Sequence, residues 1–238
     1  MSPTRSRTPV VIGAVLALVA ILAVAAVVLS GGGDDEETAV VTPTDGAPAG
    51  SATGDGGGAS SGAVDPLAAV VTVEGTALVP LENPGDDGAV GAVPPTVRGT
   101  DYDGRPVEIV PGAGGRPQLV VVVAHWCPHC NAEVPQLVEW RDSGEIPDNL
   151  DIVAISTAAS PDRPNYPPGE WLAGEDWQWP VLADDTPSDP QTPPSALAAY
   201  GVSGYPFFTL LDADGRVVAR RAGEVPIDEL AELVAQVA

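Results

Sequence analysis

The sequence predicts an α/β fold, a mixed sheet flanked by helices, carried behind an N-terminal apolar segment and a long tether. Three observations predict it. Gln118–Ala124, QLVVVVA, is continuously apolar and rich in β-branched residues, as a strand buried on both faces of a largely parallel sheet must be. A helical pattern opened by Pro128 follows at once, and a second such strand, NLDIVAIST, follows the helix. The C-terminal part then reads as two antiparallel strands and a closing helix, so the sheet mixes directions and needs helices on its faces.

Val10–Leu29 is twenty residues with no charge. About 20 apolar residues cross a bilayer as a helix. Arg5 and Arg7 precede the run and GGGDDEE follows it. The positive-inside tendency predicts residues 1–9 in the cytoplasm, a signal-anchor at 10–29 and everything beyond on the extracytoplasmic side. A cleaved signal peptide is the alternative, but its apolar core is typically ~7–15 residues. From 30 to 66 the chain is mostly Gly, Ala, Ser, Thr, Asp and Pro. That composition buries too little apolar surface to offset its ordering entropy, so a flexible low-complexity linker is expected. Residues 67–238 remain for one compact domain.

Within that domain, Leu67–Leu81 alternates loosely and predicts a strand pair or an edge strand. TVRGTDYDGRPVEI carries an Asp-Gly turn at Asp103–Gly104 between strand-like runs, a hairpin signal. GAGGRP is a turn. The helix after Gln118–Ala124 runs from Pro128, where a missing N–H costs nothing, to about Arg141, with Val134, Leu137 and Val138 on one face. SPDRPNYPPGEWLAGEDWQWP is irregular with one short helix, and PSALAAYGV is a helix. PFFTLLDADGRVVARRAG is a strand pair joined at Asp214–Gly215, and PIDELAELVAQVA is an amphipathic helix opened by Pro226. Trp171, Trp177 and Trp179 are expected as core and loop anchors.

Charge excludes some partners. The chain has 33 acidic and 10 basic residues. Two arginines precede the apolar run, which leaves 8 − 33 = −25 after it. Such a surface repels nucleic acid and anionic lipid headgroups.

The two cysteines and two histidines of the chain all lie in HWCPHC, His125–Cys130. A disulfide spanning two residues constrains little of the unfolded chain, so a structural staple is a poor explanation. As N-cap of the Pro128 helix, Cys127 receives the unpaired N–H groups of the first turn and the positive end of the helix dipole, which favour its thiolate. His129, inside the bridge, is expected to donate a hydrogen bond or partial charge. Cys130 sits one turn inward, shielded, and can attack a mixed disulfide formed at Cys127. An exposed nucleophile and a buried resolving thiol are what thiol–disulfide exchange needs. The competing reading is a zinc or copper module, since His, Cys, His and Cys within six residues are all plausible ligands.

A buried strand, HWCPHC, a helix and, far downstream, GVSGYPFF together resemble the thioredoxin-like superfamily. CPHCNAEVP and the hairpin before the strand are similar to its membrane-anchored extracytoplasmic branch, the TlpA/ResA-like proteins. The resemblance covers about Val93 to Ala238. It implies a thioredoxin-like mixed sheet, a proton-handling Glu133 near Cys130, and a cis Tyr205–Pro206 bond that presents backbone to a client. It also implies a site wall at Trp126, while His125 has a packing or surface role beside the site. The implied function is thiol–disulfide exchange with secreted or membrane proteins, recycled by a membrane or extracytoplasmic redox partner. Cytochrome c maturation and secreted-protein folding are the settings that the family offers. No organic cofactor or metal is required beyond the redox-active Cys127–Cys130 pair. Two features depart from that branch. The Pro128–His129 bridge resembles the strongly oxidising DsbA-type members, yet the stretch from Cys130 to Pro206 is too short for their helical insertion. The residue before the proline, Tyr205, is larger than usual in the family.

Overall fold

The computed structural model describes residues 65–238. The expected anchor at 10–29, and the expected linker up to its last two positions, lie outside the described residues. Among the described residues, no helix is long and apolar enough to cross a membrane.

Thirteen short elements build the domain. A small antiparallel sheet comes first, in the order β1 (Thr72–Glu74), β2 (Thr96–Thr100) and β3 (Pro106–Ile109). The main sheet has β4 (Gln118–Val123), β5 (Asp151–Ser156), β6 (Val181–Ala183), β7 (Phe207–Leu211) and β8 (Val217–Ala222), in the order β6-β5-β4-β7-β8. β4, β5 and β6 run parallel, whereas β7 and β8 pair antiparallel. The helices are α1 (Pro128–Ser143), α2 (Pro168–Gly174), α3 (Ser195–Ala199) and α4 (Ile227–Val234), and a 3-10 turn spans Ala113–Gly115.

The alternation of β4 sorts the core. Leu119, Val121 and Val123 pack with Val134, Leu137 and Trp140 of α1, Trp171 and Leu172 of α2, and Leu230 and Val234 of α4. Val120 and Val122 pack on the opposite face with Ala196 and Ala199 of α3 and with Val97, Val107 and Ile109 of the small sheet. Both faces are covered, which is why this strand is apolar from Leu119 to Val123.

Both expected hairpins form, and by one device. Asp101 and Asp212 each open a D-x-D-G-R turn. The Asp101 Oδ1 accepts the N–H groups of Asp103 and Arg105, and the Asp212 Oδ1 those of Asp214 and Arg216. Gly215 has φ +77°, and a Cβ there would lie 2.5 Å from the Pro111 carbonyl carbon. Glycine is therefore required twice over, by conformation and by space.

One expectation is met, one strand is additional, and one helix position needs correction. Of the two outcomes expected for Leu67–Leu81 the edge strand forms, as the three-residue β1 paired with β2. β6 was not anticipated. It is three residues long and follows WQWP, so it shows no period to read. On α1, Val138 is only half-buried, and Trp140 completes the inner face instead. That face runs Cys130, Glu133, Val134, Leu137, Trp140, the i, i+3, i+4, i+7 pattern of a helix, with a glutamate at an apolar position.

Candidate active site

α1 begins just after β4 ends, so the helix N-terminus sits at the C-terminal end of the central strand of the main sheet. Cys127 is the N-cap in extended conformation (φ −77°, ψ 121°), and Pro128 occupies the first turn. The sequence placed both residues there. Both thiols are free. Cys127 is only 6% exposed and Cys130 not at all, so the expected exposed nucleophile is nearly covered. The asymmetry between the two sulfurs survives in their contacts. The Cys127 Sγ lies 3.7 Å from the Tyr205 carbonyl oxygen, whereas the Cys130 Sγ receives the Ala124 N–H at 3.5 Å. Burial pushes the Cys130 thiol well above its ordinary value. Neighbouring Cys127 and Glu133 push it the same way, against the Ala124 hydrogen bond.

The Tyr205–Pro206 bond is cis, as the resemblance implied. Pro206 is buried, and its carbonyl accepts the Gly223 N–H at 2.8 Å. The Tyr205 ring meets Trp126 edge-on with centroids 5.8 Å apart. The Trp126 Nε1–H donates to the Ala158 carbonyl at 2.9 Å, and the Arg163 guanidinium lies 5.1 Å over its ring. Trp126, Tyr205 and Pro206 thus come together beside Cys127. Burial, with the Asp184 charge nearby, raises the Tyr205 phenol to about 12.

Glu133 is fully buried on the inner face of α1. Its Oε2 accepts the Val225 N–H at 3.1 Å, and its Oε1 has no protein partner. Burial raises this carboxyl to about 7, opposed by the Val225 hydrogen bond and reinforced by the Glu224 charge. The group is therefore poised to hold or release a proton near neutral pH.

The two histidines part company. His129 is exposed, and its Nδ1 lies 2.6 Å from the Glu224 Oε1. Its imidazole is thus engaged by a carboxylate 95 residues away, not by the Cys127 sulfur as the bridge position predicted. His125 is buried, and both ring nitrogens are occupied. Nδ1 lies 2.6 Å from the Pro164 carbonyl, and Nε2 accepts the Ser160 N–H at 3.1 Å. This pattern assigns the neutral tautomer with the proton on Nδ1. His125 therefore fastens the loop after β5 to the dithiol loop. Asn165 adds to the fastening through its Nδ2, which donates to the His125 carbonyl (3.1 Å) and to the Asn131 Oδ1 (2.8 Å).

The four donors of HWCPHC do not converge, because His125 spends its nitrogens on backbone and His129 faces Glu224. Among the described residues, no group of three or more His, Cys, Asp or Glu side chains is arranged to hold a metal ion.

Two further residues went unread in the sequence. Glu224 is an exposed acid in a chain with 33 acidic residues, and nothing in its neighbours marks it. Asp184 is buried, and its carboxylate accepts the N–H groups of Ala196 and Leu197 at the start of α3 and the Thr157 hydroxyl. The signal for Asp184 was available: an acid directly after a short apolar run and a dozen residues before a helix whose N-cap, Pro194, has no side chain able to cap it.

The model of the thioredoxin-like domain family matches residues 107–238. No curated protein matches the chain. Among solved structures, the thioredoxin domain of a thiol-disulfide oxidoreductase from Bacteroides vulgatus is 22% identical with a TM-score of 0.49, covering 63% of this chain and 99% of that one. StoA from Bacillus subtilis is 19% identical with a TM-score of 0.46, covering 60% and 98%. A secreted disulfide oxidoreductase from Mycobacterium tuberculosis is 25% identical with a TM-score of 0.45, covering 58% and 94%.

Proposed function

The chain belongs to the thioredoxin-like family, and from that premise we propose that it is a thiol–disulfide oxidoreductase acting on protein clients through Cys127 and Cys130. One observation carries the reading. Cys127 stands at the N-cap of a helix beside the Tyr205 carbonyl that precedes the cis-proline, and Cys130 lies wholly buried one turn behind it.

The chemistry follows from that asymmetry. The Cys127 thiolate attacks a client disulfide. A Cys127–client bond forms and the second client sulfur leaves as a thiol. The Cys130 sulfur then attacks Cys127, closing the Cys127–Cys130 disulfide and releasing the first client sulfur. Cys130 must lose its proton in that step, although burial holds it on. Glu133, near neutrality in its own titration, is the acceptor on the same helix face. The reverse sequence oxidises a client dithiol. Trp126, Tyr205 and Pro206 form the wall at which the client backbone lies.

Cys127→Ser is expected to abolish exchange with a small aromatic disulfide. Cys130→Ser is expected to accumulate stable mixed disulfides, because only resolution is lost. Retention of exchange by both variants would overturn the reading. We also propose that the domain works outside the cytoplasm, held to the membrane by residues 10–29. The run of twenty uncharged residues behind Arg5 and Arg7 supports this. Full-length protein should stay in the membrane fraction after a high-salt wash, and a soluble mature form starting near Ser30 would contradict the anchor.

A further inference from the structure

Gly223, Glu224 and Val225 connect β8 to α4 and touch the candidate site three times in three residues. The Gly223 N–H donates to the Pro206 carbonyl (2.8 Å), the Glu224 carboxylate meets the His129 imidazole (2.6 Å), and the Val225 N–H donates to the Glu133 carboxylate (3.1 Å). The two backbone contacts fix where the Glu224 side chain starts. Its carboxylate then reaches the imidazole in the bridge of the dithiol. We propose that Glu224 is a positioning residue for the dithiol: it holds the His129 imidazole away from the Cys127 sulfur and so keeps the pair more reducing.

The argument is electrostatic and rests on the oxidoreductase reading above. Reducing the Cys127–Cys130 disulfide takes two electrons from two glutathione thiols, which leave as one glutathione disulfide. Their two protons go to the new thiols, or one goes to solvent where Cys127 stays ionised. Whatever stabilises the Cys127 thiolate stabilises the reduced form and raises the potential. A bridge imidazole free to face the sulfur does so. An imidazole committed to Glu224 does not. Glu224 therefore acts against the His129 of the CPHC bridge. Its charge also bears on Glu133, whose carboxyl it helps to raise.

The test is the glutathione equilibrium of the purified full-length chain at pH 7, for wild type, Glu224→Gln, His129→Ala and the double variant. Glu224→Gln should move the equilibrium toward the dithiol by about fivefold, as one hydrogen bond from the freed imidazole to the sulfur does, which corresponds to about 20 mV for a two-electron couple. In the His129→Ala background the same substitution should change it by less than about 1.5-fold, because the diverted imidazole is gone. Urea midpoints of the disulfide forms, equal across the set, exclude a general loosening of the loop. A Glu224→Gln equilibrium within about 1.5-fold of wild type, a shift toward the disulfide, or an equal shift without His129 overturns the proposal. If wild type equilibrates normally in that case, only the role of Glu224 is lost. If wild type itself fails to exchange with glutathione, the oxidoreductase reading fails and this inference with it.

Discussion

Two buried charged groups sit on opposite sides of the main sheet's problem of covering itself. Arg220, on β8, is 1% exposed, and Glu133, on α1, is not exposed at all. Their surroundings differ. The Arg220 Nε and Nη2 pair with both oxygens of Asp87 (2.9 and 2.5 Å), and its Nη1 donates to the carbonyls of Val79 and Tyr200. Its guanidinium also lies 5.9 Å over the Phe207 ring. The Arg220 hydrogen bond holds the Asp87 carboxyl below its usual range. Glu133 has one hydrogen bond and one unpaired oxygen. Complete satisfaction marks a structural anchor, which here fastens the segment before β2 to the sheet edge. Partial satisfaction costs stability, and it fits the proton-handling role proposed for Glu133.

The largest effect that would break this contrast is at the anchor. Arg220→Met leaves the Asp87 carboxylate buried without its partner and should cost about 3–5 kcal/mol. Urea midpoints with unchanged m-values measure it. The folded fraction should still exchange disulfides at the wild-type rate. A loss below about 1 kcal/mol would mean that the pair is no stronger than a surface one.

Glu133→Gln sharpens the other side. The folded carboxyl titrates at about 7, against about 4.3 in an unfolded chain. Between those values the folded protein keeps a proton that the unfolded chain has lost. Stability must therefore fall as pH rises through the window, by on the order of 3 kcal/mol, and level off above it. Glutamine removes this fall and is expected to be neutral or stabilising at pH 8. The same substitution should slow resolution of mixed disulfides. A variant that lost several kcal/mol at pH 8 would show Glu133 to be an anchor like Arg220.

The contrast also explains what was legible in the sequence. β4 and β5 could be read because burial on both faces makes their interiors apolar, Leu119–Val123 and Ile152–Ile155. Cys127, Pro128 and Cys130 could be read because a strand end and a proline-opened helix are local signals. β6 could not, since its three residues owe their conformation to pairing with β5. Val138 was misplaced because an apolar count gives no phase on a helix whose inner face includes Glu133. The Glu133 assignment needed a family resemblance. The Arg220–Asp87 pair spans 133 residues and the His129–Glu224 pair 95. Neither partner carries a local mark, so only the fold could bring them together.

The smallest effect concerns His125, a third buried titratable group, and it runs with the opposite sign. Both nitrogens are satisfied, so it belongs with the anchor by the criterion above although it adjoins the dithiol. At pH 7.5, His125→Gln should cost about 1–2 kcal/mol for the hydrogen bonds to Pro164 and Ser160 that glutamine makes less well. Burial holds the folded imidazole below its ordinary value, against the Pro164 hydrogen bond. As pH falls through about 6.5, the unfolded chain takes up a proton that folded His125 refuses, so stability falls with acid. Glu133 tilts the same window the other way. Relative to wild type, His125→Gln should therefore gain stability on going from pH 7 to 5, and Glu133→Gln should lose it. The measurement is a urea midpoint series of the reduced chain across that range for the three proteins. Two variants tilting in the same direction would show that one of these groups is not the buried, differently satisfied side chain described, and the distinction between anchor and reactive group would fail at the site where it matters.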